Sequence, residues 1–176
     1  MQNQPIHFGP NGTAPRSHAL ARLVVLGAGL AASCGGGGGG DRLTKEELIA
    51  QGDAICKKHR DKFEAIDFPK TDPTSPETSD EVLEQFGGAL DQGVTIFRDQ
   101  IGELRDLNPP EDFEEAYDGA MDGLDGAVDS LDEAAGAAHD ADRDKLREAL
   151  DESNRRGEAA DKVARDYGFQ VCGAES

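Results

Sequence analysis

Four long stripes of apolar positions, each opened and closed by its own signals, predict four helices. Thr44-Lys45-Glu46-Glu47 is a capping box, in which the Thr hydroxyl caps a free N–H and Glu47 reaches back. From there Leu48, Gly52, Ile55, His59, Phe63 and Ile66 recur at steps of three and four, with Ile49 and Cys56 beside them. That spacing predicts a helix over about 45–66. Pro69, Pro73 and Pro76 make residues 67–79 a linker, and Thr78 or Ser79 is placed to cap a second helix. Its seam of Leu83, Phe86, Leu90, Val94, Phe97, Ile101 and Leu104 has a heptad-like rhythm.

Asn108-Pro109-Pro110 ends that seam and is also expected to start the third helix, with Asn108 as cap and Glu111 three residues on. The third stripe is Phe113, Tyr117, Leu124, Val128 and Leu131, filled in by Ala120, Ala127 and Ala134. Gly119, Gly123, Gly126 and Gly136 each weaken that helix by roughly 1 kcal/mol relative to Ala, so packing must hold it. The fourth helix follows the His139-Asp140 turn, with Leu146, Leu150, Ser153, Ala160, Val163 and Tyr167 on its stripe and Gly168 as its left-handed terminator. No strand signal interrupts this. The expected fold is all-α, an up-down-up-down four-helix bundle over residues 44–173 with a short tail at 174–176. A three-helix coiled arrangement with a loose segment is the competing architecture.

Ahead of the bundle the pattern changes. Arg16 and Arg22 precede the apolar run Leu23 to Leu30, and the small residues Ala31, Ala32 and Ser33 precede Cys34. This is the layout of a secretory signal, and the run is shorter than the roughly 20 apolar residues that cross a bilayer. A cysteine directly after small residues resembles the lipobox of bacterial lipoproteins, although Ala31 stands where a larger aliphatic residue is usual. The resemblance implies a signal peptide at 1–33, diacylglyceryl transfer to the Cys34 thiol, and a tether at 34–43 built on Gly35 to Gly40. A cleaved signal with an incidental Cys34 is the alternative. The reading places the protein in the bacterial cell envelope, extracytoplasmic and held to a membrane by lipid.

Charge narrows the partners. The chain has a formal net charge of −18, and residues 1–33 hold only Arg16 and Arg22 among charged side chains, so the remainder stands at −20. Nucleic acid is a poor partner for such a surface. With about 135 residues after the tether, one small domain with a real core is expected. Aromatics are only 5% and Trp is absent, so aliphatic residues and a few Phe must build that core.

Candidate chemistry is sparse. Of two histidines after residue 34, His59 lies on the first stripe, where a core role is expected, and no Glu-x-x-His, His-Glu-x-x-His, phosphate-loop or Gly-x-Ser-x-Gly pattern occurs. The expectation is therefore no enzyme and no catalytic residue. Between Arg105 and Arg143 there is no Lys or Arg, and Asp118, Asp122, Asp125, Asp129 and Asp132 form a row beside the third stripe. A solvated face is the plain reading, and a surface concentrating divalent cations such as calcium is the sharper one. Asp140, Asp142, Asp144 and Asp151 fall at positions one, three, five and twelve of a stretch similar to an EF-hand loop. Lys145 replaces its turn glycine and Asp151 its glutamate, so an Asp-rich helix start is preferred.

Three cysteines minus one lipidated thiol leave an even pair, so a Cys56–Cys172 disulfide is expected in an oxidising compartment. In an up-down-up-down bundle the tail after Tyr167 is long enough to fold back beside the first helix. Two buried, reduced cysteines are the alternative. Asp53-Ala54-Ile55-Cys56 and Tyr167-Gly168-Phe169-Gln170-Val171-Cys172-Gly173, taken with the anchor, resemble a class of uncharacterised bacterial lipoproteins with a cysteine in the first helix and an ending close to Tyr-Gly-x-x-x-Cys-Gly. The resemblance implies location and bundle, with no established activity. The function expected is a non-enzymatic binding or envelope-interaction module whose partner is an envelope protein or ligand. The alternative is a calcium-binding lipoprotein using the acidic helix face.

Overall fold

The computed structural model describes residues 42–174, so the signal, Cys34 and most of the tether lie outside the described residues. Four α-helices follow in order: α1 Lys45–Phe63, α2 Asp80–Arg105, α3 Glu114–His139 and α4 Arg143–Tyr167. No strand occurs among the described residues. Each helix runs antiparallel to the one before it. Leu43 meets Asn108 while Phe63 stacks near Phe97, so α1 and α2 oppose. Arg105 reaches Asp122 while Arg98 reaches Asp132, so α2 and α3 oppose. Phe113 stacks on Tyr167 while Gly126 underlies Arg156, so α3 and α4 oppose. The topology is up-down-up-down.

Local chemistry sets most helix ends. The Thr44–Glu47 capping box forms in both directions. The Ser79 hydroxyl accepts from Val82 N–H, and the Asp142 carboxylate accepts from Lys145 N–H at 3.0 Å. Gly168 takes φ 118°, a left-handed conformation that frees Phe169 N–H to reach the Ala164 carbonyl at 3.1 Å. The first helix closes at Phe63, a turn earlier than its stripe suggests, because Ala65 and Ile66 tighten into bonds to Lys62 and Phe63.

The third helix begins later than the Asn108 expectation. Its N-cap is Phe113, which makes no side-chain cap bond. Both Asn108 and Pro109 precede a proline, which pushes them out of the helical region. Their carbonyls are used instead by the incoming chain, with Leu43 N–H on Asn108 and the Arg42 guanidinium on Pro109.

The interior divides into two clusters. One gathers Leu48, Val94, Ile101, Leu104, Tyr117 and Phe169 with their neighbours. The other joins Leu83 and Leu90 of α2, Ala134, Ala135, Ala137 and Ala138 of α3, and Leu146 and Ala149 of α4. That alanine patch lets α3 and α4 approach closely, and this pair has the most extensive packing of the bundle. Tyr117 is buried, and its hydroxyl donates at 2.7 Å to the Leu104 carbonyl, which also accepts from Leu107 N–H where α2 ends. Burial pushes the Tyr117 phenol up to about 12. α2 is the one helix that lies along α1, and the two pack more sparingly than the other neighbours do. The C-terminal tail, rather than α4 itself, closes the side between α1 and α4.

Candidate functional site

The tail and α1 form the most specific local arrangement in the molecule. Gly52, Asp53 and Cys56 stand at i, i+1 and i+4, so they share one side of α1. Each receives one part of the tail. Gly52 offers a notch, in which an added Cβ would sit 2.5 Å from Phe169 Cε1, so the buried Phe169 ring occupies that volume. The Asp53 carboxylate accepts three consecutive backbone N–H groups: Gln170 at 2.9 Å, Val171 at 2.8 Å and Cys172 at 3.0 Å. Such charge-assisted bonds are roughly twice as strong as neutral ones. Cys56 is joined to Cys172 by a disulfide with Cα atoms 5.4 Å apart, across 116 residues of chain.

The tail is also fastened to α4. Gly173 takes φ 73°, and a Cβ there would sit 2.6 Å from the Asp161 carbonyl oxygen, so only glycine fits. Arg165 donates to the Gly173 carbonyl at 2.7 Å. Burial pushes the Asp161 carboxyl up, with the nearby Arg165 charge opposing. Above this turn Phe113 and Tyr167 stack with centroids 3.5 Å apart, and Lys45 Nζ lies 4.5 Å over the Tyr167 ring. Burial also raises the Tyr167 phenol.

The acidic row is neutralised from the neighbouring helix. Arg105 donates to Asp122 at 2.9 Å and Asp125 at 2.6 Å, and Arg98 donates to Asp132 at 3.0 Å with Asp129 at 3.8 Å. The two arginines stand one heptad apart on α2, matching the two aspartate pairs one heptad apart on α3. Asp118 is exposed beyond the reach of these arginine pairings. Asp140 and Asp142 sit in the turn between α3 and α4, where Asp142 is the α4 cap. Asp144 pairs with Arg147 at 3.1 Å, and Asp151 lies well inside the helix. A continuous α4 from Arg143 therefore replaces the twelve-residue loop and carries Asp151 away from Asp140. Among the described residues, no group of three His, Cys, Asp or Glu side chains converges in a way that could hold a metal ion.

The two histidines do separate work. His59 is buried, with Nε2 3.0 Å from Glu103 Oε1 and no partner for Nδ1, so Nε2 is the protonated nitrogen that donates. Hydrogen bonds from Lys58 and then His59 hold the Glu103 carboxyl below the usual range. His59 is thus the core residue its stripe predicts. His139 had no assigned role in the sequence, yet its ring lies across Gly87 with Nδ1 3.0 Å from Glu84 and Nε2 3.1 Å from Asp91. The bond to Glu84, then that to Asp91, raises the His139 imidazole above its ordinary value.

Sequence reasoning named Cys56 and Cys172 and missed the roles of Gly52, Asp53 and Phe169. The available signal was a glycine on an apolar stripe, four residues before a cysteine. No protein-family model matches the chain, and neither the curated proteins nor the solved structures contain a match. No helix among the described residues is long and apolar enough to cross a membrane.

Proposed function

We propose that this chain is a lipid-anchored, extracytoplasmic helical bundle that serves as a non-enzymatic binding or interaction module of the bacterial envelope. The observation that carries this reading is the Cys56–Cys172 disulfide. Bridges of this kind persist in oxidising compartments. It uses two of the three cysteines, leaving Cys34 as the odd thiol at the position where a lipobox cysteine belongs. The glycine run after Cys34 suits a tether between a lipid and a folded domain. An envelope protein or ligand is the expected partner, and the charge of the domain disfavours nucleic acid.

The calcium reading has less support. Arg98 and Arg105 occupy the places beside the row where a cation would act. Thermal melting at matched ionic strength separates the two, with equal responses to calcium and magnesium expected for a solvated face. A calcium response well above that of magnesium would restore the cation reading.

The anchor is tested by expressing the full chain in a bacterium. The wild type is expected in the detergent phase with an acyl increment on a mature chain beginning at Cys34. Cys34→Ala is expected in the aqueous phase. An unacylated wild type would overturn the anchor.

A further inference from the structure

The dependence of α1 on the tail has a consequence beyond the anchored-module reading. We infer that the Cys56–Cys172 disulfide is a redox latch on the seam between α1 and α4, whose reduction by a dithiol protein releases Phe169–Cys172 from α1 while α2, α3 and α4 stay folded.

Three observations support it. First, one of the two core clusters contains no residue of α1, so α2, α3 and α4 keep that half of the interior without it. Second, α2 is the one helix that lies along α1, which meets α4 only at its start through Lys45 over the Tyr167 ring, and among the buried positions of α1 Gly52 and His59 contribute little or no apolar side chain. Most of the stability of a helix in a protein comes from packing of its apolar face rather than from propensity. Third, what covers that face on the α4 side is the tail, held by Asp53, by the Gly52 notch and by the bridge. The non-covalent parts of this hold are a few hydrogen bonds and one ring, and only the bridge makes them permanent.

The two sulfurs are unequal. Cys56 is 7% exposed, whereas Cys172 is less deeply buried, so an incoming thiolate meets Cys172 Sγ first. That attack forms a mixed disulfide on Cys172 and breaks the Cys56–Cys172 bond. Cys56 leaves as a thiolate beside the Gln100 amide, whose Nε2 is 3.6 Å from the sulfur and donates to it. Stabilising the leaving thiolate speeds exchange. The second thiol of the reductant then displaces Cys172. The protein gains two electrons and two protons as two thiols, and the reductant becomes a disulfide.

The test is hydrogen exchange on the full chain, purified with its bridge intact, before and after excess dithiothreitol, with thiols trapped to count the broken bridge. With α2–α4 folded, the bridge closes a flexible loop of only about 30 residues, the stretch after Cys56 up to α2 plus the tail, which makes opening of the seam rarer by on the order of 10²–10³-fold. Amides of residues 45–63 and 170–172 are therefore expected to exchange about 10²–10³-fold faster once reduced, with α2–α4 unchanged. Asp53→Asn, with its bridge formed, is expected to speed reduction several-fold and leave α2–α4 protection unchanged. Unchanged α1 protection with two trapped thiols would overturn the latch. So would equal loss of protection in α2–α4, which would make the bridge a staple of the whole fold. A bridge that resists the reductant in the folded protein would overturn it as well.

Discussion

The Phe169 ring fills the volume above Gly52 so closely that a Cβ on Gly52 would stand 2.5 Å from Phe169 Cε1. Overpacking of this kind costs about 1–3 kcal/mol, while Ala in place of a helical Gly returns roughly 1 kcal/mol. Gly52→Ala is thus expected to lower stability by about 1 kcal/mol in urea titrations. In a Phe169→Leu background the same change is expected to be neutral or stabilising. An equal penalty in both backgrounds would show that the ring does not set the cost.

His139 links stability to pH. Glu84 and Asp91 of α2 face its two nitrogens and raise its pKa on folding. A raised pKa contributes stability that is fully present below the unfolded value of about 6.5 and is lost as pH rises through the folded value. The melting difference between wild type and His139→Gln should therefore be largest below the unfolded value of about 6.5 and shrink as pH rises through the raised folded value. A difference independent of pH would assign the effect to packing against Gly87.

Asp161 has the opposite character, a carboxyl that burial penalises when charged. Its raised pKa means that stability is lost as pH climbs through the folded value. Asp161→Asn is expected to raise the melting temperature at pH 7 by about 1–3 °C, a figure kept small because the site is partly open to solvent. Near pH 3 the gain should disappear. A gain of the same size at both pH values would exclude the charge as its cause.

Ala141 takes φ 55°, a left-handed conformation in which its Cβ is crowded, so that Asp142 N–H can reach the Ala137 carbonyl at 2.9 Å. Glycine fits that place without strain. Ala141→Gly should stabilise the bundle by about 0.5–1 kcal/mol in denaturant titrations, and the β-branched Ala141→Val should destabilise it. Stabilisation by valine would contradict the strain.

The sequence by itself determined the helices and most of their ends. Thr44, Ser79 and Gly168 act within one turn of their own position, and the α2 seam needs only the helical period to be legible. Cysteine arithmetic named the Cys56–Cys172 pair because so few thiols leave so few pairings. What tertiary structure decided was the partner of each charge. Asp53 looks like any other exposed acid until the fold brings three tail N–H groups to it. The Asp122–Asp132 row looks unpaired until the register of α2 against α3 sets Arg98 and Arg105 beside it. Arg42 and Leu43 reach the carbonyls of Pro109 and Asn108, more than sixty residues on, only because the fold brings that connection beside the start of α1. Caps and periodicity depend on neighbours a few residues away. Pairings like these depend on how helices are rotated and offset against one another, and only close packing of the whole bundle sets that.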